Sequence, residues 1–173
     1  MKIKDTSGAE HDIECIACAI QSGKVTLLVE RIAETEFFVA EQDFEYPIEA
    51  FIIVASKRHV KSILGLSEEE RADLTSFLFS CRKAMKTQLG IVEVTFVQEE
   101  HSSSSHFHVW LFPWLPWMDE EGYKRKVSEI TTVMKMAKDR PMTEESSLIL
   151  RESAQKLKSE IAKDLKDATK RSS

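Results

Sequence analysis

The sequence predicts a mixed fold of strands and helices, and three observations carry that reading. Segments of strand period recur between residues 24 and 112, one capped helix with a one-sided apolar stripe interrupts them, and two helical-period stretches close the chain. At 173 residues and 42% hydrophobic composition, the chain can bury one good core and is too short for a second independent domain.

Taken in order, the first element is 15–20 (CIACAI), followed by the turn-forming Gln21-Ser22-Gly23 and by 24–30 (KVTLLVE), whose β-formers predict a strand. Residues 36–41 (EFFVAE) and 51–55 (FIIVA) are further strands, the latter bounded by Pro47 and the basic cluster Lys57-Arg58-His59. The period then changes. Ser67 with Glu70 three residues on has the form of a capping box, and Leu74, Phe77, Leu78, Cys81 and Met85 share one helical stripe that Gly90 stops. Residues 91–97 (IVEVTFV) alternate as a strand and 106–112 (HFHVWLF) form another, ended by Pro113. The eight-residue polar loop between them, 98–105, fits an antiparallel pair. Beyond Pro116, Tyr123, Val127, Ile130, Met134 and Ala137 are spaced as in a helix, and Leu150, Ala154, Leu157, Ile161, Leu165 and Ala168 repeat the pattern. Each would be an amphipathic helix with a narrow apolar seam, suited to packing on the body or on a second subunit.

Composition narrows the function classes. With 24 basic against 29 acidic residues and a net charge of −5, the chain lacks the clustered cations of a nucleic-acid groove, so no nucleic acid is expected as partner. No run of 18 apolar residues occurs and the N-terminus lacks a signal-peptide core, so the expectation is a soluble, cytoplasmic protein away from membranes. Cys15, Cys18 and Cys81 are too few for a disulfide scaffold. Cys81 lies on the helix stripe and reads as packing.

The chemistry concentrates at 106–112. A period of two sends His106, His108, Trp110 and Phe112 to one face and Phe107, Val109 and Leu111 to the other. Two imidazoles sharing a strand face have three readings: a pair satisfied by hydrogen bonds, a pair of metal ligands, or a nucleophile for phosphorus with its tautomer fixed by a neighbour.

The segment H-F-H-V-W-L-F resembles the signature of the histidine triad superfamily, His-φ-His-φ-His-φ-φ with φ apolar, Trp110 standing at the third histidine. The opening C-I-A-C-A-I, the stretch E-Q-D-F-E-Y-P-I-E-A-F-I-I-V-A-S-K-R-H-V-K-S-I and the following L-S-E-E-E also resemble that family, in its order, across residues 13–113. The resemblance implies an α+β fold, a mostly antiparallel sheet flanked by helices, usually as a homodimer. It divides the chain into a histidine-triad-like domain over 1–118 and a helical C-terminal extension over 119–173.

The resemblance also implies the chemistry. His108 takes the place of the nucleophile that attacks the α-phosphorus of a nucleoside phosphoanhydride or phosphoramidate, such as a dinucleoside polyphosphate, giving a covalent nucleotidyl-histidine that water or another acceptor resolves. Ser103, Ser104 and Ser105 take the place of the phosphate-holding loop, with Gln98 and Trp110 beside it, and Asp43 matches the carboxylate that holds the ribose hydroxyls. In zinc-bearing relatives two such cysteines join the histidine of the basic segment and the first histidine of the motif, here Cys15, Cys18, His59 and His106, a closed and therefore structural Cys₂His₂ site. His11 or His101 is an alternative to His59. Tryptophan offers one N–H and no acceptor, so the second expectation is a nucleotide-binding or scaffold protein with little or no turnover.

Overall fold

The computed structural model describes residues 1–100 and 106–171. The chain opens with a small antiparallel hairpin, β1 (Lys2–Lys4) and β2 (Glu10–Asp12), followed by a short helix α1 (Ile16–Gln21). Five strands then build the main sheet: β3 (Ala33–Glu34), β4 (Phe38–Gln42), β5 (Ile52–Ser56), β6 (Val94–Val97) and β7 (His108–Pro113). Their order is β3-β4-β5-β7-β6, every neighbouring pair antiparallel. Helix α2 (Glu68–Leu89) stands between β5 and β6 in sequence, and α3 (Pro116–Glu120), α4 (Val127–Asp139) and α5 (Glu144–Arg171) follow the sheet. This is the α+β arrangement of a mostly antiparallel sheet flanked by helices.

Register decides which side chains share a face, because directly paired residues point the same way. One face carries Phe38, Ala40, Ile52, Val54, Val109 and Leu111, all buried in the main core. The other carries Val39 and Ala55 in one row with His108, and Glu41 and Ile53 in the next with Trp110 and Val97. That second face is less covered: His108, Trp110, Ile53 and Val97 are half-buried. The buried polar groups of β4 are satisfied, Glu41 by Arg31 Nε at 3.0 Å and the Gln42 amide by the carbonyl of Ile48 at 2.8 Å.

Helix α2 begins where the sequence places it. The Ser67 hydroxyl accepts from Glu70 N–H at 3.1 Å, and the Glu70 carboxylate accepts from Ser67 N–H at 2.7 Å, a reciprocal box that satisfies two end-of-helix donors. Gly90 ends the helix with φ at 66°, the left-handed conformation that a residue without Cβ adopts at little cost. Glu70 also holds Arg58 through both carboxylate oxygens, at 2.7 and 3.1 Å, and that contact keeps its pKa below the usual carboxylate range. The box therefore anchors the segment carrying His59. Replacing Ser67 with Ala is expected to cost about 1 kcal/mol of stability, read as a lower urea midpoint at unchanged slope.

Cys81 is fully buried on the α2 stripe and its thiol is pushed up by burial, so it packs as an apolar side chain. Helix α5 lies along α2 and reaches β3, with Leu150, Ala154, Leu157 and Ile161 buried in the main core. The two are also joined by Ser80 Oγ donating to Asp164 Oδ2 at 2.7 Å and by the Lys83–Asp164 ion pair.

Several details depart from the sequence expectation, the short strands β1, β2 and β3 among them. Residues 24–30 form no strand; Val25 packs in a small second cluster with Ile13 and Ala19, Val29 joins the main core, and the chain between them passes from one to the other. Tertiary demand at both ends overrides β-propensity here. The stretch from Tyr123 divides differently: α4 starts only at Val127, which is exposed, while Ile130, Val133, Met134 and Ala137 form the buried seam. The short helix α3 has no counterpart in the sequence reading. No helix among the described residues is long and apolar enough to cross a membrane.

Candidate functional site

The site forms where the end of β5, the start of α1 and the start of β7 meet. Ser56 N–H donates to the carbonyl of Phe107 at 3.1 Å, and Phe107 N–H donates to the carbonyl of Val60 at 2.7 Å. These bonds bring residues 106–107 against both the β5 strand and the basic segment. The two histidines two apart in sequence consequently face different surroundings.

His106 is buried. Its Nε2 lies 2.6 Å from the carbonyl of Ser56, an acceptor only, so Nε2 carries the proton and Nδ1 presents a lone pair. That Nδ1 faces two sulfurs, Cys15 Sγ at 3.4 Å and Cys18 Sγ at 3.5 Å. Cys18 Sγ in turn lies 3.3 Å from His59 Nδ1, and the His59 and His106 rings stand edge to face with centroids 5.0 Å apart. All four donor atoms fall within 4.8 Å of one another.

The helix α1 explains the cysteine spacing. Cys15 is its N-cap, with Sγ accepting from Cys18 N–H at 3.5 Å, so one turn of helix turns both thiols to the same side. Burial, followed by the neighbouring Cys15, pushes the Cys18 thiol up to about 11, and burial, then the nearby His59 and His108, hold His106 below the usual imidazole range. With its proton on Nε2 held by Ser56, His106 presents its Nδ1 lone pair to the two sulfurs, as a ligating imidazole does.

The fit to a metal can be tested by distance. Zinc bonds of about 2.3 Å to sulfur and about 2.0–2.1 Å to nitrogen, at tetrahedral angles, place sulfur and nitrogen about 3.5 Å apart. Three of the four sulfur–nitrogen separations, at 3.3 to 3.5 Å, match that edge, and all four donor atoms lie within 4.8 Å of one another. His11, the alternative ligand, is engaged elsewhere, its Nε2 2.8 Å from Asp5 Oδ2, and His101 lies outside the described residues.

His108 is half-buried and differently bound. Its Nδ1 lies 2.8 Å from the carbonyl of His106, so the proton sits on Nδ1 and the Nε2 lone pair is the free one. Trp110 stands beside it, ring centroids 6.0 Å apart and planes 37° apart, and meets Phe51 edge-on at 5.8 Å. Gln98 is exposed and its amide donates to the carbonyl of Glu99 at 3.2 Å and to Glu100 Oε1 at 3.4 Å. Ser103, Ser104 and Ser105 lie outside the described residues.

Asp43 follows β4 directly. Its Oδ1 accepts from Glu45 N–H at 2.9 Å and from Tyr46 N–H at 2.8 Å, an Asx turn, while burial pushes its carboxyl up to about 7. Sequence reasoning does not single out Ser56, whose contribution is a main-chain carbonyl and therefore leaves no trace in residue type.

No family model and no curated protein sequence matches the chain. Solved structures do. A zinc-bound histidine triad family protein from Mycobacterium smegmatis is 21% identical, with TM-score 0.58, over 84% of this chain and 96% of that one. A hypothetical histidine triad nucleotide-binding protein from Sulfolobus tokodaii is 18% identical, with TM-score 0.61, over 86% and 93%. The chain has the histidine triad fold. A histidine-triad-like protein from Bartonella henselae, described as involved in cell-cycle regulation and holding an unknown ligand, gives 18% identity and TM-score 0.61 over 86% and 97%. Within the histidine triad fold of this chain, β7 begins at the second histidine of the H-x-H-x-W segment, and the four clustered donors, the first histidine among them, lie at its entrance.

Proposed function

We propose that this chain is a nucleotide hydrolase or nucleotidyl transferase acting through a covalent nucleotidyl-His108. The observation that carries the reading is the His108 Nδ1 contact to the His106 carbonyl, which leaves Nε2 as the available nucleophile. In the forward step Nε2 forms a bond to the α-phosphorus of a nucleoside phosphoanhydride or phosphoramidate. The bond from phosphorus to the leaving group breaks, and the departing group keeps the electron pair and takes up a proton from solvent. The ring becomes cationic, and the His106 carbonyl, still accepting from Nδ1–H, stabilises it where it stands. Water or another acceptor then attacks phosphorus from the opposite side, loses a proton, and releases neutral His108.

Asp43 is assigned to the ribose hydroxyls, Ser103, Ser104, Ser105 and Gln98 to the phosphate oxygens, and the Trp110 N–H to the same region. Cys15, Cys18, His59 and His106 are assigned to a structural zinc, which would fix the position of His106 and with it the carbonyl on which His108 depends. Residues 1–118 form the unit that carries this chemistry, and 119–173 are an extension upon it. A homodimer is supported by the edge position of β6, where Phe96 is 46% exposed in a strand with one unpaired side. The free thiols suit the reducing cytoplasm.

The test is direct. The full chain is incubated with a labelled dinucleoside polyphosphate or nucleoside phosphoramidate, quenched in alkaline denaturant and digested. A nucleotidyl adduct on the peptide carrying His108, absent from His108→Ala, is the expected result. A second reading, nucleotide binding without turnover, is favoured by Trp110, which cannot accept a hydrogen bond as a third histidine would. Tight nucleotide binding with no adduct and no product would establish it.

A further inference from the structure

We infer that the C-terminal helices clamp the turn bearing Asp43, and that Lys138 of α4 is a positioning residue for nucleoside binding. This rests on the reading above that Asp43 holds the ribose hydroxyls. From the sheet side, the turn is held by its own bonds: Asp43 N–H donates to the carbonyl of Phe51 at 2.8 Å, and the Gln42 amide donates to the carbonyl of Ile48 at 2.8 Å. The Asx turn commits only Oδ1 of Asp43; no hydrogen bond from the described residues reaches Oδ2. Oδ2 is the oxygen left for a ligand hydroxyl. The turn closes through Ala50 at φ 57°, a left-handed conformation that a residue with Cβ adopts at a cost of about 1–2 kcal/mol. Such a conformation persists only where surrounding contacts over-determine it.

From the other side those contacts come from α4 and α5. Lys138 Nζ is ion-paired with Glu45 and lies 5.6 Å from the centroid of the Tyr46 ring. Ser153, buried on α5, hydrogen-bonds Glu49 Oε1. Ile48 of the turn shares the main core with Ala137 and Leu150, while outside that contact an open cavity of about 300 Å³ lies between the two tethers, with Pro47, Trp117 and Met142 also in its lining. Packing therefore fixes the inner side of the turn, and the polar tethers hold its outer side, where Glu45 and Tyr46 lie. The Glu45 and Tyr46 that Lys138 grips are the two residues whose N–H groups hold the Asp43 carboxylate. An exposed ion pair adds little to global stability, so the effect of Lys138 should appear in the ligand and not in the Tm.

The test uses the full chain and whichever of AMP, GMP, CMP and UMP it binds most tightly, against the 2′,3′-dideoxy counterpart, by titration calorimetry. Lys138→Met is expected to weaken the ribonucleotide about five-fold and the dideoxynucleotide less than two-fold. Exchanging the charges, Lys138→Glu with Glu45→Lys, is expected to restore most of the preference that Lys138→Glu alone removes. Equal losses for both nucleotides, or no loss for either, overturn the clamp. Asp43→Asn separates the two levels of the argument. If it abolishes the ribose preference while Lys138→Met preserves it, the clamp alone falls. If the wild-type chain shows no ribose preference, or binds none of the four, the assignment of Asp43 falls and the clamp with it.

Discussion

Dialysis against a strong chelator at neutral pH is expected to lower the Tm by about 10 °C, and one equivalent of Zn²⁺ is expected to restore it. An ion that binds the folded chain alone contributes about 4 kcal/mol when present at a thousand times its Kd, and a chain of this size gains about 2–4 °C per kcal/mol. His59 supplies the control. It is exposed, so His59→Ala costs little in packing, and in the chelated protein it should move the Tm by no more than about 1–2 °C. With zinc present the same substitution removes a ligand and should recover most of the chelator's effect. Elemental analysis of the purified chain checks the stoichiometry. If chelation and His59→Ala both leave the Tm unmoved, the four side chains are a cluster of thiol–imidazole hydrogen bonds and nothing more.

His108→Ala is expected to lower kcat/KM by at least about 10³-fold while leaving nucleotide Kd within a few-fold. The reasoning lies in what the side chain touches. His108 is half-buried, its one side-chain hydrogen bond among the described residues is to the carbonyl of a residue already fixed by other contacts, and its removal leaves a main-chain acceptor at a site open to water. Binding and stability therefore change little, whereas the proposed covalent intermediate loses the atom on which it forms. Single-turnover assays with added imidazole refine the point, since a free ring entering the vacated space should return part of the rate. A variant that turns over at the wild-type rate would falsify the covalent mechanism.

Much of this arrangement was legible in residue order, for reasons that differ by element. The α2 start announced itself because Ser67 and Glu70 satisfy each other locally, without help from the fold. The β6–β7 pair was readable because alternation and Pro113 act within a few residues. By contrast β1, β2 and β3 span three residues or fewer, too short for any period to register. Residues 24–30 misled because their β-branched side chains serve two separate clusters. Helix α3 hides in a run of tryptophans and prolines, where Pro116 occupies the first turn that tolerates it. At the site, the family resemblance pointed to the four side chains that the fold brings within 4.8 Å of one another, yet the tautomers of both histidines depend on carbonyls of Ser56 and His106, which every residue possesses. The Lys138–Glu45 contact joins positions 93 apart and follows from no local rule.

The small cluster of Ile13, Ala19 and Val25, with Ile3, Ile16, Ile20 and Leu27 around it, shares no buried residue with the main core. The first 27 residues are in this respect a separate cooperative unit, attached to the body by the Cys15 and Cys18 sulfurs and by Gln21, whose amide donates to the carbonyl of Ser56 at 2.9 Å. On the proposed zinc site, loss of the ion would let that unit detach while the sheet stays folded, and amide exchange and protease nicking would then quicken first ahead of residue 28. The amino-terminal arm would then act as a latch whose closure follows metal supply, if the four donors hold zinc as proposed.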